Sequence, residues 1–383
     1  MAATISFVKF LLIVVLLAVT SRSTTALSNS PSVVKAAYWF EQSIFPASAI
    51  NSSLYTHIYY AFLVPNNITY ELQVSNSTAE SLSRFTSSLS TKTPPLKTLL
   101  SIGGASSDPA VFAQIASNLI SRKNFINSTI EVARNFGFDG LDLDWEFPQN
   151  STEMENLDLL LQDWRNAILN DAKRRSQLPL LLTGAVYFAV DFFLSTTSRP
   201  YPVASINNNM DWINVMFYDY HGSWGNDTGP LASLFDPKSN VSTQYGLNSW
   251  VQAGLYPNKI TMGIPLYGRT WELKDPNVHG FGAPAVGAGP GNGAMAYLQV
   301  AEFNRQTGAT VVHDVDTVSV YSYSGTSWIS YDDDLTVTAK ISFAQAFGLR
   351  GYFFWAAGFD GNGTISSRAS KAWMGDKCKC ING

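Results

Sequence analysis

The chain has 383 residues, of which 46% are hydrophobic, 13% aromatic and only 14% charged, a balance that excludes a disordered protein and supports a large buried core. A formal charge of −4 and a pI near 5.6 leave no basic surface for nucleic acid or an anionic membrane. The only cysteines, Cys378 and Cys380, lie near the C-terminus, which excludes a disulfide scaffold, a cysteine nucleophile and a zinc–thiolate centre in the main fold.

At the N-terminus Lys9 precedes an apolar run, Phe10 to Val19, and then Thr24-Thr25-Ala26. The run is too short to span a bilayer and has the form of a secretory signal peptide. Residues 1–26 are therefore expected to be removed after Ala26. The mature chain is expected outside the cell or in a vacuole, with no membrane attachment. Eight Asn-x-Ser/Thr sequons, at Asn51, Asn67, Asn76, Asn127, Asn150, Asn226, Asn240 and Asn362, agree with export. Asn150 is the one that the fold could block.

Val33 to Phe40 and His57 to Val64 are apolar runs of strand length, and Lys97 to Gly103 is a third, ending in Ser101-Ile102-Gly103-Gly104. Helical spacing follows over Pro109 to Ile120 and Lys123 to Asn135, and again over Glu153 to Arg175. Pro179 to Tyr187, Trp212 to Tyr218, Lys259 to Leu266 and Arg350 to Trp355 read as further strands. With the acidic run described next there are eight, most separated by helix-like segments. Near-continuous apolar strands alternating with helices imply a parallel sheet covered on its outside. Eight such units fit a closed (β/α)8 TIM barrel of the α/β class, with chemistry at the C-terminal strand ends. An open doubly wound sheet is the alternative, but no Gly-rich dinucleotide turn is present. Between the seventh and eighth strands, residues 269–331 carry a Gly/Pro-rich stretch, His279 to Gly293, and then alternating segments, Thr310 to Tyr323. That is too long for a connection and reads as a small α+β insertion. The barrel then comprises residues 27–268 and 332–377, and 378–383 form a tail. Asp332-Asp333-Asp334 opens a helix, Leu335 to Phe347, and is expected to cap it. A Cys378–Cys380 bridge would be a cramped ring.

The run Phe138-Asp139-Gly140-Leu141-Asp142-Leu143-Asp144-Trp145-Glu146-Phe147-Pro148 alternates acids with Leu and Trp. On a strand, Asp142, Asp144 and Glu146 share one face and Leu141, Leu143 and Trp145 the other. Clustered carboxylates repel one another and resist desolvation, so at least one should keep its proton near neutral pH. A solvated edge strand or a hard-cation site are the other readings. The apolar opposite face argues for a central strand, and the Gly and Glu of a twelve-residue calcium loop do not fall in place.

Asp139-x-x-Asp142-x-Asp144-x-Glu146 matches without a gap the DxxDxDxE signature of glycoside hydrolase family 18, and the chain resembles the plant class V chitinases of that family. Met216-Phe217-Tyr218-Asp219 is similar to its Met-x-Tyr-Asp motif. The resemblance implies an endo-acting, retaining chitinase in which the substrate's 2-acetamido group replaces a second catalytic carboxylate. It implies Glu146 as general acid and base, Asp144 as partner of the acetamido group, Asp142 as sharer of a proton with Asp144, and Tyr218 as donor to the acetamido carbonyl. Asp139 would be structural. Substrate contacts are implied for Asp219, Met216, Trp355 beneath the scissile sugar, Tyr38, Phe62, Tyr267 and Arg269, with Trp224 on the leaving side. Sugar C–H faces stack on such rings. No metal or cofactor is implied, the partner is chitin or a chitooligosaccharide, and the expected state is a monomer. The insertion also matches the family. The sequence departs from the pattern at Phe147, where Tyr is expected, at Ala356-Ala357, and in the loop Tyr220-His221-Gly222-Ser223-Trp224. These departures bear on substrate length and acylation. A non-catalytic lectin or enzyme inhibitor on the same fold is the competing function, as is an enzyme acting on glycoprotein N-glycan cores.

Overall fold

A computed structural model describes residues 33–41, 45–193, 197–361 and 363–374. The expected leader, Asn362 and both cysteines lie outside the described residues. Eight parallel strands close a barrel: β1 (Val34–Phe40), β2 (His57–Leu63), β3 (Lys97–Gly103), β4 (Gly140–Asp144), β5 (Leu181–Val186), β6 (Trp212–Val215), β7 (Ile260–Pro265) and β14 (Gly351–Trp355), with β14 between β7 and β1. The helices α1 (Asn76–Ser90), α2 (Pro109–Ser117), α3 (Leu119–Asn135), α4 (Ser151–Arg175), α5 (Val203–Asn209) and α6 (Thr243–Gln252) fill the crossovers.

Every residue of β4 is buried, so the acidic run is a central strand, not an edge. Leu141, Leu143 and Trp145 face outward into the main core under the helices, where Trp145 stacks on Phe112 at 6.1 Å. A second, smaller core of Tyr38, Tyr59, Leu99, Trp212 and Phe353 fills the barrel interior beneath the acids. Burial on both faces explains why these strands read as apolar runs rather than alternating ones.

The insertion is a sheet in the order β10-β8-β13-β12-β11, with β9 paired to β8. Its strands are β8 (Tyr267–Leu273), β9 (Ala285–Ala288), β10 (Ala294–Ala296), β11 (Thr310–Asp314), β12 (Ser319–Ser324) and β13 (Ser327–Tyr331), with helix α7 (Tyr297–Thr307). Trp271 and Trp328 meet edge to face at 5.1 Å in a core of its own. Beyond it come α8 (Asp334–Ala346) and α9 (Thr364–Met374).

Local differences from the sequence expectations have physical causes. The helix expected to continue to Ile120 breaks at Asn118, whose backbone is extended and whose side chain accepts from Ile120 N at 2.7 Å to cap the next helix. Only Asp333 of the Asp332–Asp334 run caps α8, accepting from Leu335 N and Thr336 N. Asp332 instead forms a buried ion pair with Lys340 at 2.6 Å, and Asp334 reaches Arg368.

Candidate active site

The C-terminal ends of the barrel strands open into a cleft of about 700 Å³. Asp144, Glu146, Met216, Tyr218, Asp219, Tyr38, Phe62, Trp355, Tyr267 and Arg269 all line it. Asp142 lies directly below, fully buried. Asp139 does not reach the cleft: its carboxylate accepts from Thr98 N at 2.8 Å, tying β4 to β3. Trp224 stands outside the lining, 64% exposed, with the Arg269 guanidinium 5.0 Å from its ring.

The tight end of β3 makes room for the acids. Gly103 has φ +118°, and a Cβ there would fall 2.1 Å from the Asp144 carbonyl oxygen; Gly104 has φ +85° and would strike the Phe62 ring at 2.5 Å. Gly104 N donates to that same carbonyl at 2.8 Å. Both positions therefore require glycine. Three non-proline peptide bonds at the cleft are cis: Ala61–Phe62, Glu146–Phe147 and Trp355–Ala356.

Asp142 accepts four hydrogen bonds, from Tyr38 and Ser101 on Oδ2 and from Thr183 and Asn214 on Oδ1. Burial still raises its pKa, and the Thr183, Ser101 and Tyr38 donors oppose the rise. Asp144 has no such support. Burial, then the charges of Glu146 and Asp142, push its carboxyl well above the usual aspartate range. Glu146 is pushed up to about 7, chiefly by burial. Both carboxyls thus favour their protonated form, and the charge of Glu146 is part of what raises Asp144. Asp142, by contrast, has both of its oxygens engaged by donors. The second Asp144 oxygen, Oδ1, is buried with no partner in the protein.

Tyr218 is kept protonated by burial and by the carboxyls of Asp144, Glu146 and Asp219, so it can donate from its hydroxyl. Asp219, in the left-handed region at φ 59°, accepts from Tyr267 Oη at 2.7 Å and from Arg269 Nε and Nη2 at 2.8 and 2.7 Å. Both of its oxygens are thereby engaged in fixing Arg269 rather than pointing free into the cleft. Trp355 stacks on Phe62 at 5.6 Å and 17°, with Tyr38 tilted at 5.5 Å. Together they form an aromatic floor.

Sequence reasoning missed part of the wall. Tyr187, Phe188, Tyr220 and Val241 line the cleft, as do Met295 and Gln299 from the insertion. Tyr187 and Phe188 directly follow β5, so aromatic residues at a strand end were the available signal. Nothing in the sequence pointed to Met295 or Gln299, which depend on how the insertion packs. Among the described residues no cluster suited to a metal ion occurs.

The family model described as Glycosyl hydrolases family 18 matches residues 33–360. Nod factor hydrolase protein 1 of Medicago truncatula is 58% identical over 345 residues, 89% of this chain and 90% of that protein. A crystal structure of a class V chitinase from Nicotiana tobaccum in complex with NAG4 has a TM-score of 0.86 at 40% identity, covering 89% of this chain and 99% of that one. The chitinase-like agglutinin RobpsCRA from Robinia pseudoacacia is similar too, with a TM-score of 0.82 at 39% identity over 89% and 99% of the two chains. The chain therefore belongs to glycosyl hydrolases family 18, and plant class V chitinases are among its relatives over most of its length.

Proposed function

We propose that this family 18 glycoside hydrolase is a chitinase that cleaves β-1,4-linked N-acetylglucosamine chains internally and with retention, using the substrate's 2-acetamido group as nucleophile. The observation that carries this reading is the buried, unpartnered Asp144 Oδ1 in the cleft that Glu146 also lines. An acetamido N–H would satisfy that oxygen. Glu146 donates its proton to the glycosidic oxygen as the C–O bond breaks. The acetamido carbonyl oxygen, bonded by the Tyr218 hydroxyl, closes onto the anomeric carbon. Asp144 balances the positive charge of the resulting oxazolinium ion. Glu146, now a carboxylate, takes a proton from the water that attacks the same carbon; the bond from the acetamido oxygen to that carbon breaks, which restores the acetamido group and the β-anomer.

Glu146→Gln tests the acid. Turnover of chitin oligomers is expected to fall by about 10²–10⁴-fold with the fold unchanged by circular dichroism; wild-type turnover would remove Glu146 from the role. An oligomer with a free amine in place of the N-acetyl at the scissile sugar should not be cleaved. The general acid must be protonated, so kcat/KM should decline as pH rises through about 7, where the pair loses its proton. The agglutinin-like reading predicts binding with no turnover in any of these assays.

The wall of Phe147, Tyr187, Phe188 and Val241 is apolar, which supports acceptance of acylated chitin oligomers as well. Comparing products from oligomers with and without an acyl chain checks this. Export as a monomeric glycoprotein is part of the same proposal. Asn51, Asn67, Asn76, Asn127, Asn150, Asn226 and Asn240 are all exposed, and glycan mapping on protein from the natural source would test it.

A further inference from the structure

Phe147 directly follows Glu146, so the segment Phe147–Asn150 sets how the chain carries the acid from β4 into α4. The segment is bonded to itself and to the first turn of α4. Gln149 Nε2 donates to the Phe147 carbonyl at 2.7 Å, and Gln149 N donates to Glu153 Oε2 at 2.7 Å. Asn150 Oδ1 accepts from Glu153 N at 3.0 Å and caps the helix. Each of these bonds joins residues within four positions of one another, so none fixes the segment against the rest of the barrel. Arg199 does. It lies fifty positions away, between β5 and α5, and its Nη1 donates to the Gln149 carbonyl at 2.8 Å and to Gln149 Oε1 at 3.3 Å.

Arg199 is itself held in place. Its backbone N–H donates to Asp191 Oδ1 at 2.7 Å, and Ser198 Oγ donates to Asp191 Oδ2 at 2.7 Å. Its guanidinium carbon lies 4.1 Å from the centre of the Phe192 ring. Phe192 is buried, stacks on Tyr187 at 4.2 Å and meets Phe147 edge to face at 5.3 Å. Phe147 and Tyr187 also touch, at 5.7 Å, and both line the cleft, whereas Arg199 stands outside it. One guanidinium therefore grips the backbone beyond Phe147 and covers the ring against which Phe147 packs. A planar fork can stack on an aromatic face while donating in its own plane, which a lysine ammonium cannot do.

We propose that Arg199 is a positioning residue that clasps the loop after β5 to the loop after β4 and so keeps the Glu146 carboxyl aimed at the glycosidic oxygen, without touching substrate. This rests on Glu146 being the general acid. With the clasp removed, the segment after Glu146 is tied only to α4 and can shift along the wall, and the acid shifts with it.

The leaving group reads the aim of the acid. Arg199→Ala should lower kcat/KM for N-acetylglucosamine oligomers by about tenfold to a hundredfold, the order lost when a reacting group is misplaced by an ångström. The same variant should lose no more than about threefold on a nitrophenyl glycoside of a short oligomer, because a nitrophenolate departs without the acid's proton. A role confined to stability would instead lower the rate on both substrates alike. Arg199→Lys keeps the charge but neither the fork nor the stacked plane. It should show the same dependence on leaving group, and it decides the matter if Arg199→Ala does not fold. Equal losses on the two substrates, or wild-type rates on both, would overturn the proposal. Failure of the general-acid reading shows instead as normal oligomer turnover by Glu146→Gln, so the two failures are distinct.

Discussion

A carboxyl with no donor of its own, enclosed between two others, ionises at a cost to the folded state. Asp144 is in that position, with its pKa raised well above the ordinary aspartate value of 3.8. In the unfolded chain it releases its proton near that ordinary value, whereas in the folded chain it retains it. The unfolded state therefore binds fewer protons through this window, and stability falls as pH rises across it. Asp144→Asn removes that term. It should melt at a higher temperature than the wild type at pH 7, with the difference shrinking toward pH 4, while activity is lost. Thermal melts at the two pH values check the sign. A variant less stable than wild type at pH 7 would mean that the contacts of the Asp144 carboxyl outweigh the cost of burying it. Tyr218 belongs to the same arrangement, since the negative groups around it favour its neutral, donating form.

At the scale of elements, neighbouring residues with the same chemistry do different work. Asp333 caps α8, and Asp333→Ala should cost about 1 kcal/mol. Asp332, one residue earlier, neutralises Lys340 in a site where both side chains are almost fully buried. Asp332→Ala leaves that cation unpaired and should cost about 3–5 kcal/mol. Denaturant unfolding of the two variants separates them. This difference was not legible in the run of three aspartates, because it depends on a lysine two helical turns away facing inward. The barrel was legible, since strands buried on both faces write long apolar runs and the helices between them keep a 3.6-residue spacing. Helix α1 was not, because its Ser-rich run 76–90 offers few apolar positions to show that spacing. Strand β8 was also hidden: Tyr267 and Arg269 read as strand-end contacts, while in the structure they begin the insertion's sheet. The shared face of Asp142, Asp144 and Glu146 was legible because alternation alone produces it. The hydrogen bonding of Asp142 was not, because it depends on donors from β1, β3, β5 and β6.

For the molecule as a whole, stability is expected to come from packing rather than cross-links. Large side chains such as Trp164, Trp212, Trp250, Trp271 and Trp328 are fully buried, and both cysteines lie near the C-terminus at 378 and 380. A chain with Cys378→Ser and Cys380→Ser, or the wild type in reductant, should melt at the wild-type temperature; a clear drop would reveal a structural bridge. The barrel and the insertion are joined with little slack. Strand β7 ends at Pro265 and β8 begins at Tyr267, leaving Leu266 alone between them. Leu266 donates its N–H to the Trp355 carbonyl and accepts from Tyr297 N at the start of α7. For anyone exchanging insertions between relatives to change what the enzyme digests, this one leucine is the splice point. A donor segment that displaces it by an ångström shifts the tryptophan's backbone and the first turn of the wall helix together, so a chimera should be spliced with both of its hydrogen bonds conserved.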